Sequence, residues 1–252
     1  SLAARKLCPT AEYLPRKSFY AAVSCVLACE ADCAVLPVEN TLQGAVAQNL
    51  DLLYANAELF AVKEYLLQID HRLIFRRGVN LSRIERGFSH EQAILQCGKF
   101  LSENLPQAKI VYTDSTAESL SVMQKETDAG IVGAHMAREG YELSAENIAD
   151  EKKNFTHFLL VKRGEEHLPV HSGRVYFAAS CPHEPGALLK MLQILAVYDL
   201  NMTKIESRPK KDSPGEYNFF IEFEGDIAAN GVRAALSRLQ EYTKNFKLLG
   251  CY

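Results

Sequence analysis

Along most of the chain, short β-rich runs alternate with stretches whose apolar positions recur at three and four residues. A period of two marks strands and a period of 3.6 marks helices. On this pattern residues 33–39 (CAVLPVE) read as a strand, 44–54 as a helix and 60–75 as one or two strands. A short strand at 86–89 leads into a helix over 90–105, then a strand at 109–113 and a helix over 115–126. A strand at 129–133, a helix over 134–141 and a strand at 156–162 complete this part. Such alternation predicts an α/β domain of mainly parallel sheets covered by helices, with strand-to-helix turns gathered at the edge where open sheets bind ligands.

Residues 163–173 are polar, with Gly and Pro, and read as a linker. Beyond it the period changes. Strands are predicted at 174–181, 201–208, 216–225 and 247–251, with helices over 186–198 and 227–243. The middle strands are joined by a turn at 210–215 (KKDSPG). The order is βαββαβ, the ferredoxin-like arrangement. The expected organisation is a domain over 1–162, a linker over 163–173 and a smaller domain over 174–252.

Composition narrows the function classes. Apolar residues make 48% and charged residues 23% of the 252 positions, with a net charge of −3. Basic residues are scattered, so the stripe that nucleic-acid binding needs is missing. No apolar run approaches the roughly 18 residues of a membrane span. The opening residues SLAARK lack an initiator Met and a signal core and read as the middle of a helix, so a preceding segment is expected. Seven cysteines is an odd number, and Cys25, Cys29 and Cys33 would share a face only if one helix ran through all three. No further ligand stands at metal spacing, so reduced buried thiols and a cytoplasmic protein without metal or cofactor are expected. Cys97 lies seven residues after His90, too far along a helix for a thiol–imidazole pair, and reads as core. His167 and His171 read as solvated linker residues.

Three strand-to-helix junctions carry capping-box spacing: Asn40 with Gln43, Ser89 with Gln92, and Ser115 with Glu118. Helix amides at such a mouth also hold carboxylates and phosphates. Asn40, Thr41, Ser89, Ser115 and Thr116 are therefore candidates for a small-anion site, or simply caps. No Gly-x-Ser-x-Gly, Walker loop, Gly-x-Gly-x-x-Gly or His-Glu-x-x-His is present.

Four segments add to this: Val35–Thr41 (VLPVENT), Ser89–Cys97 (SHEQAILQC), Asp114–Ala117 (DSTA) and Asn154–Phe158 (NFTHF). In order and spacing they resemble the signature segments of prephenate dehydratases. Pro185–Leu188 (PGAL) and Glu206–Pro209 (ESRP) resemble the phenylalanine-effector motifs of that family's ACT regulatory domain. The resemblance runs through the final LGCY. It implies a two-lobed catalytic domain like that of periplasmic binding proteins, followed by a ferredoxin-like ACT domain. It also implies a carbon–oxygen lyase that converts prephenate to phenylpyruvate in phenylalanine biosynthesis, under feedback by L-phenylalanine, as a homodimer or homotetramer.

By the same resemblance Thr156, with His157 and Phe158, is catalytic, and Thr156 gives a proton to the leaving hydroxyl. Asn40, Thr41, Ser89, His90, Ser115 and Thr116 bind substrate. Gly186, Ala187, Leu188, Asn201, Glu206, Ser207 and Arg208 hold the effector at a seam between chains. One departure stands out. The family's Thr-Arg-Phe is here Thr156-His157-Phe158, and histidine neither stays charged nor grips a carboxylate with two bonds as arginine does. Weaker catalysis, improving at mildly acid pH, is therefore expected. By the same resemblance the family's first strand and most of its glycine loop are expected to precede Ser1. Arogenate dehydratase, or a catalytically weak phenylalanine sensor, are the alternative readings. A periplasmic solute binder would share the form but not the unpaired cysteines.

Overall fold

The computed structural model describes residues 1–210, 213 and 215–252; Lys211, Asp212 and Pro214 of the expected 210–215 turn lie outside the described residues. By contact the chain forms two compact units, one of Ser1–Leu67 with Thr156–Tyr252 and one of Gln68–Phe155.

The larger unit opens with α1 (Leu2–Leu7) and α2 (Phe19–Leu27), each capped by a serine hydroxyl, Ser1 on Ala4 N and Ser18 on Ala21 N. Then come β1 (Ala34–Asn40), β2 (Gly44–Ala45), α3 (Ala47–Ala55) and β3 (Leu59–Gln68). The smaller unit holds β4 (His71–Arg76), β5 (Arg86–Ser89), α4 (Glu91–Leu95), α5 (Gly98–Asn104), β6 (Lys109–Tyr112), α6 (Ser119–Val122), β7 (Asp128–Gly133) and β8 (Tyr141–Leu143). The chain returns through β9 (Phe155–Arg163) and continues as β10 (Arg174–Ser180), α7 (Ala187–Val197), β11 (Met202–Pro209), β12 (Tyr217–Glu224), α8 (Asn230–Tyr242) and β13 (Lys244–Cys251).

The larger unit is built on one sheet in the order β11-β12-β10-β13-β3-β9-β1-β2. Its first four strands are antiparallel neighbours in ferredoxin-like order. The sheet does not stop there, because β13 runs parallel to β3 with Gly250 opposite Ala61. A Cβ on Gly250 would sit 2.2 Å from the Ala61 carbonyl oxygen, so only glycine lets these strands close. Tyr176 and Ala178 of β10 share a core with Leu36, Leu50, Leu53, Leu59 and Leu159. The alternate residues Val175, Phe177 and Ala179 pack with Met191, Leu195 and Leu239 of α7 and α8. Burial on both faces explains the unbroken apolar run of β10.

The smaller unit has a sheet of order β6-β5-β7-β4-β8. Here β5 is parallel to β6 and β7, whereas β4 is antiparallel to β7 and β8. Both sheets are therefore mixed, not mainly parallel. Parallel neighbours need a crossover, usually helical, and within this sheet α-helices intervene between β5 and β6 and between β6 and β7, with a 3-10 turn at Leu81–Arg83 between β4 and β5. The 90–105 helix is broken at Cys97 into α4 and α5, and the 115–126 helix shrinks to the four residues of α6. No helix forms over 134–141, where Gly140 at φ +79° turns the chain into β8.

Cys25 lies in α2, but Cys29 follows the helix end at φ +58°, so the three cysteines share no helical face. All seven cysteines are free, and Cys97 is wholly buried, its thiol pushed up to about 12 by burial. Among the described residues no cluster of three metal-ligating side chains occurs, and no helix is long and apolar enough to cross a membrane.

Candidate functional site

In the larger unit β1 and β9 pair antiparallel, with Asn40 opposite Thr156 and Glu39 opposite His157. Between Pro37 and Glu39 the register slips by one residue. A bulge re-aims the side chains beyond it. Here it turns Asn40 to the face of Thr156, although Asn40 and core residue Leu36 are an even number of residues apart. Asn40 Nδ2 donates to Thr156 Oγ1 at 2.9 Å. With its oxygen taken as acceptor, the Thr156 hydroxyl is set to donate its own hydrogen, and the amide favours negative charge on Oγ1. Asn40 Oδ1 accepts from Leu42 N at 3.1 Å, holding the turn that carries Thr41. Asn40 therefore caps no helix; α3 starts at Ala47, with Val46 at its N-cap and no side-chain cap.

The neighbouring rung points the other way. His157 Nε2 lies 2.8 Å from Glu64 Oε2. Arg174 reaches the same Glu64 oxygen at 3.3 Å and Glu222 at 3.4 Å. The Tyr252 hydroxyl donates to Glu222 at 2.5 Å, and the Tyr252 ring stands edge-on to His157 at 6.3 Å. The His157 hydrogen bond, against opposing burial, and Arg174 hold the Glu64 carboxyl below its ordinary range. Burial and the Glu222 charge push the Tyr252 phenol well up. Thr156 and His157, adjacent in the motif, thus serve opposite faces of β9. Phe158 packs beside Leu7, Val62 and Leu160.

In the smaller unit Ser89 ends β5 wholly buried, its hydroxyl donating to Ile131 O at 2.8 Å. The cap of α4 is not Ser89 but His90, whose Nδ1 accepts from Gln92 N at 3.2 Å. Ser115 makes half of the expected box: Oγ accepts from Glu118 N at 3.1 Å, but Glu118 Oε2 accepts from Asp114 N at 2.8 Å and not from Ser115 N, and the pair closes a turn ahead of α6, whose N-cap is Glu118. Thr116 follows half-buried. A polar cluster that the sequence reading did not single out lies in the same unit. His71 Nε2 sits 2.9 Å from Gln96 Oε1, which also accepts from buried Asn154 at 3.1 Å. Burial lowers the His71 pKa despite the Gln96 bond.

The effector candidates lie on α7 and β11. Gly186 takes φ +79° at the N-cap of α7, a conformation that favours glycine, with Ala187 and Leu188 in the first turn. Asn201 Nδ2 donates to Glu224 at 2.9 Å. Glu206, Ser207 and Arg208 lie along the edge strand β11, and Arg208 reaches Asp51 of α3 at 3.2 Å.

Residues 1–166 match the family model for prephenate dehydratase. The chain belongs to the prephenate dehydratase family. It is 34% identical over 224 residues to the bifunctional chorismate mutase/prephenate dehydratase of Aquifex aeolicus, covering 88% of this chain and 61% of that protein. To the prephenate dehydratase of Amycolatopsis methanolica it is 36% identical over 228 residues, covering 88% of this chain and 74% of the relative. Among solved structures, the prephenate dehydratase of Arthrobacter aurescens in complex with L-Phe superposes with a TM-score of 0.88 at 32% identity, over 100% of this chain and 85% of that one.

Proposed function

We propose that this protein is a prephenate dehydratase that removes water and carbon dioxide together from prephenate, giving phenylpyruvate for phenylalanine biosynthesis. The observation that carries this reading is the Asn40–Thr156 bond of 2.9 Å. In the reaction the ring carboxylate leaves as carbon dioxide and its bonding pair enters the ring. The ring hydroxyl departs as water with a proton from Thr156, which solvent then restores. Aromatisation supplies the driving force, leaving the protein to orient the substrate and donate the proton. Asn40 and Thr41 are assigned to substrate beside Thr156. Ser89, His90, Ser115 and Thr116 are candidate carboxylate or hydroxyl ligands, each to be tested singly.

Residues 1–162 form the two-lobed catalytic domain on this reading and 174–252 an ACT domain, joined by the 163–173 linker. Its effector is L-phenylalanine, the ligand of the Arthrobacter relative. Gly186, Ala187, Leu188, Asn201, Glu206, Ser207 and Arg208 bind it, in a cytoplasmic homodimer or homotetramer. The position of His157, turned toward Glu64 and away from Thr156, favours an active enzyme over a silent sensor. The test is phenylpyruvate formation from prephenate, with arogenate run in parallel. Turnover that Thr156→Val abolishes at unchanged melting temperature supports the assignment. Unimpaired turnover by Thr156→Val removes it.

A further inference from the structure

The antiparallel ladder of β1 and β9 has two consecutive rungs with different duties. The Asn40–Thr156 rung holds the candidate proton donor. The Glu39–His157 rung, one residue away, faces residues of 174–252. Glu39 Oε2 receives Lys204 Nζ of β11 at 2.7 Å, and the Lys204 side chain is only 11% exposed. His157 meets Glu64, which meets Arg174 of β10, and Arg174 meets Glu222 of β12. Thr203, next to Lys204, donates to the same Glu222 oxygen at 2.7 Å. The ladder is thus gripped from behind at both strands by neighbouring residues of one edge strand and their partners.

We propose that Lys204, acting through Glu39, is a positioning residue for the Asn40–Thr156 pair. The inference rests on the assignment of Thr156 as proton donor. Three facts carry it. Backbone pairing leaves little freedom between adjacent rungs, so displacing Glu39 moves Asn40. Lys204 has lost most of its contact with water and has Glu39 as its ionic partner, so the pair is specific and not one of many exchangeable surface contacts. The bulge at Val38 interrupts the regular β1–β9 register just before Glu39 and Asn40, so regular pairing alone does not fix where these two residues point. Lys204 also stands 6.0 Å over the Tyr176 ring, so the Glu39 variants are what isolate the path through Glu39.

The experiment compares wild type with Lys204→Met, Lys204→Arg, Glu39→Gln and the Lys204→Met/Glu39→Gln double variant in phenylpyruvate formation, with melting temperatures measured on each. Misplacing a proton donor without altering substrate contacts lowers kcat and leaves KM nearly unchanged. The expected result is a roughly tenfold fall in kcat for Lys204→Met and Glu39→Gln, with KM within about twofold. The double variant should be no worse than either single, and Lys204→Arg should recover most of the rate. Wild-type kcat in both single variants, or losses that multiply in the double variant, overturns the proposal. If Lys204→Met fails to fold, Glu39→Gln and Lys204→Arg carry the comparison, since neither removes a buried charge. Thr156→Val in the same series separates this from the assignment it rests on: an active Thr156→Val sinks the assignment, whereas an inactive one beside an unaffected Lys204→Met sinks only the positioning role.

Discussion

The two units hold their candidate side chains by different means. In the larger unit Thr156 and its partner Asn40 are 116 residues apart in the chain. The rung behind them is completed from residues 64, 174, 204, 222 and 252. In the smaller unit His90 and Ser115 bond to backbone amides two and three residues on. A locally held side chain keeps its geometry as long as its own turn survives. A side chain held across the fold depends on every strand that brings its partner. Substitutions remote from Thr156 should therefore reach it, while the local caps of the smaller unit should answer mainly for local stability.

The sharpest separation comes from Thr156→Val. Loss of the proposed proton donor should cut turnover by roughly 10²–10⁴-fold, with folding intact because threonine and valine are close in shape. Next comes the seam between β13 and β3. Gly250→Val forces a side chain against Ala61 and should cost about 3 kcal/mol or more by chemical denaturation. It should lower turnover as well, if the long-range hold matters. Full activity in a destabilised Gly250→Val would break the comparison at its root.

In the smaller unit the matched test is Asp128→Ala. Asp128 is buried and accepts two bonds from Arg86 at 2.8 Å and two backbone amides, of Gln124 and Lys125, at 2.9 Å. Removing it should cost about 3 kcal/mol with little change in KM for the folded fraction. Smaller still, Ser115→Ala removes the turn's bond to Glu118 N and should cost about 1 kcal/mol. A large loss of kcat/KM in Ser115→Ala at unchanged stability would instead mark its hydroxyl as a substrate ligand.

What the sequence disclosed follows the same division. Period-two runs located β1, β5, β6, β7 and β9, and the βαββαβ order of 174–252 was legible because its helices are long and amphipathic. Short helices broken by one residue, as at Cys97, leave no mark in periodicity. Neither does pairing direction, which depends on which strands become neighbours. The Ser115–Glu118 bond was readable because hydroxyl and amide are three residues apart, although it closes a turn and not the start of α6. Ser89 misled, since its hydroxyl is taken by Ile131, 42 residues on. The opposed faces of Thr156 and His157 follow from strand alternation alone. Their partners Glu64, Arg174 and Lys204 carry no local signal, because nothing near them in sequence says which rung they will meet.

The smallest effect concerns the charge of that rear rung. The Glu64 carboxyl sits below its ordinary value of 4.5, first because of the His157 hydrogen bond and further because of Arg174, with burial opposing. A carboxyl whose folded pKa lies below its unfolded value contributes stability that is fully present above the unfolded value and is lost as pH falls through the folded one. Glu64→Gln should therefore lower stability modestly at neutral pH, the side chain being 34% exposed. Below pH 4.5 the variant should lose less than wild type, so the two curves converge in acid. Asp128 of the smaller unit behaves alike in sign: burial pushes it up, but Arg86 and the two amides outweigh this and leave it lowered. The readout that tells the units apart is activity at neutral pH. Glu64→Gln weakens the hold on β9 and should lower kcat a few-fold, whereas Asp128→Asn should leave kcat of the folded enzyme intact. Equal losses in both would mean that the two units depend on each other for catalysis as fully as the strands of the larger unit do.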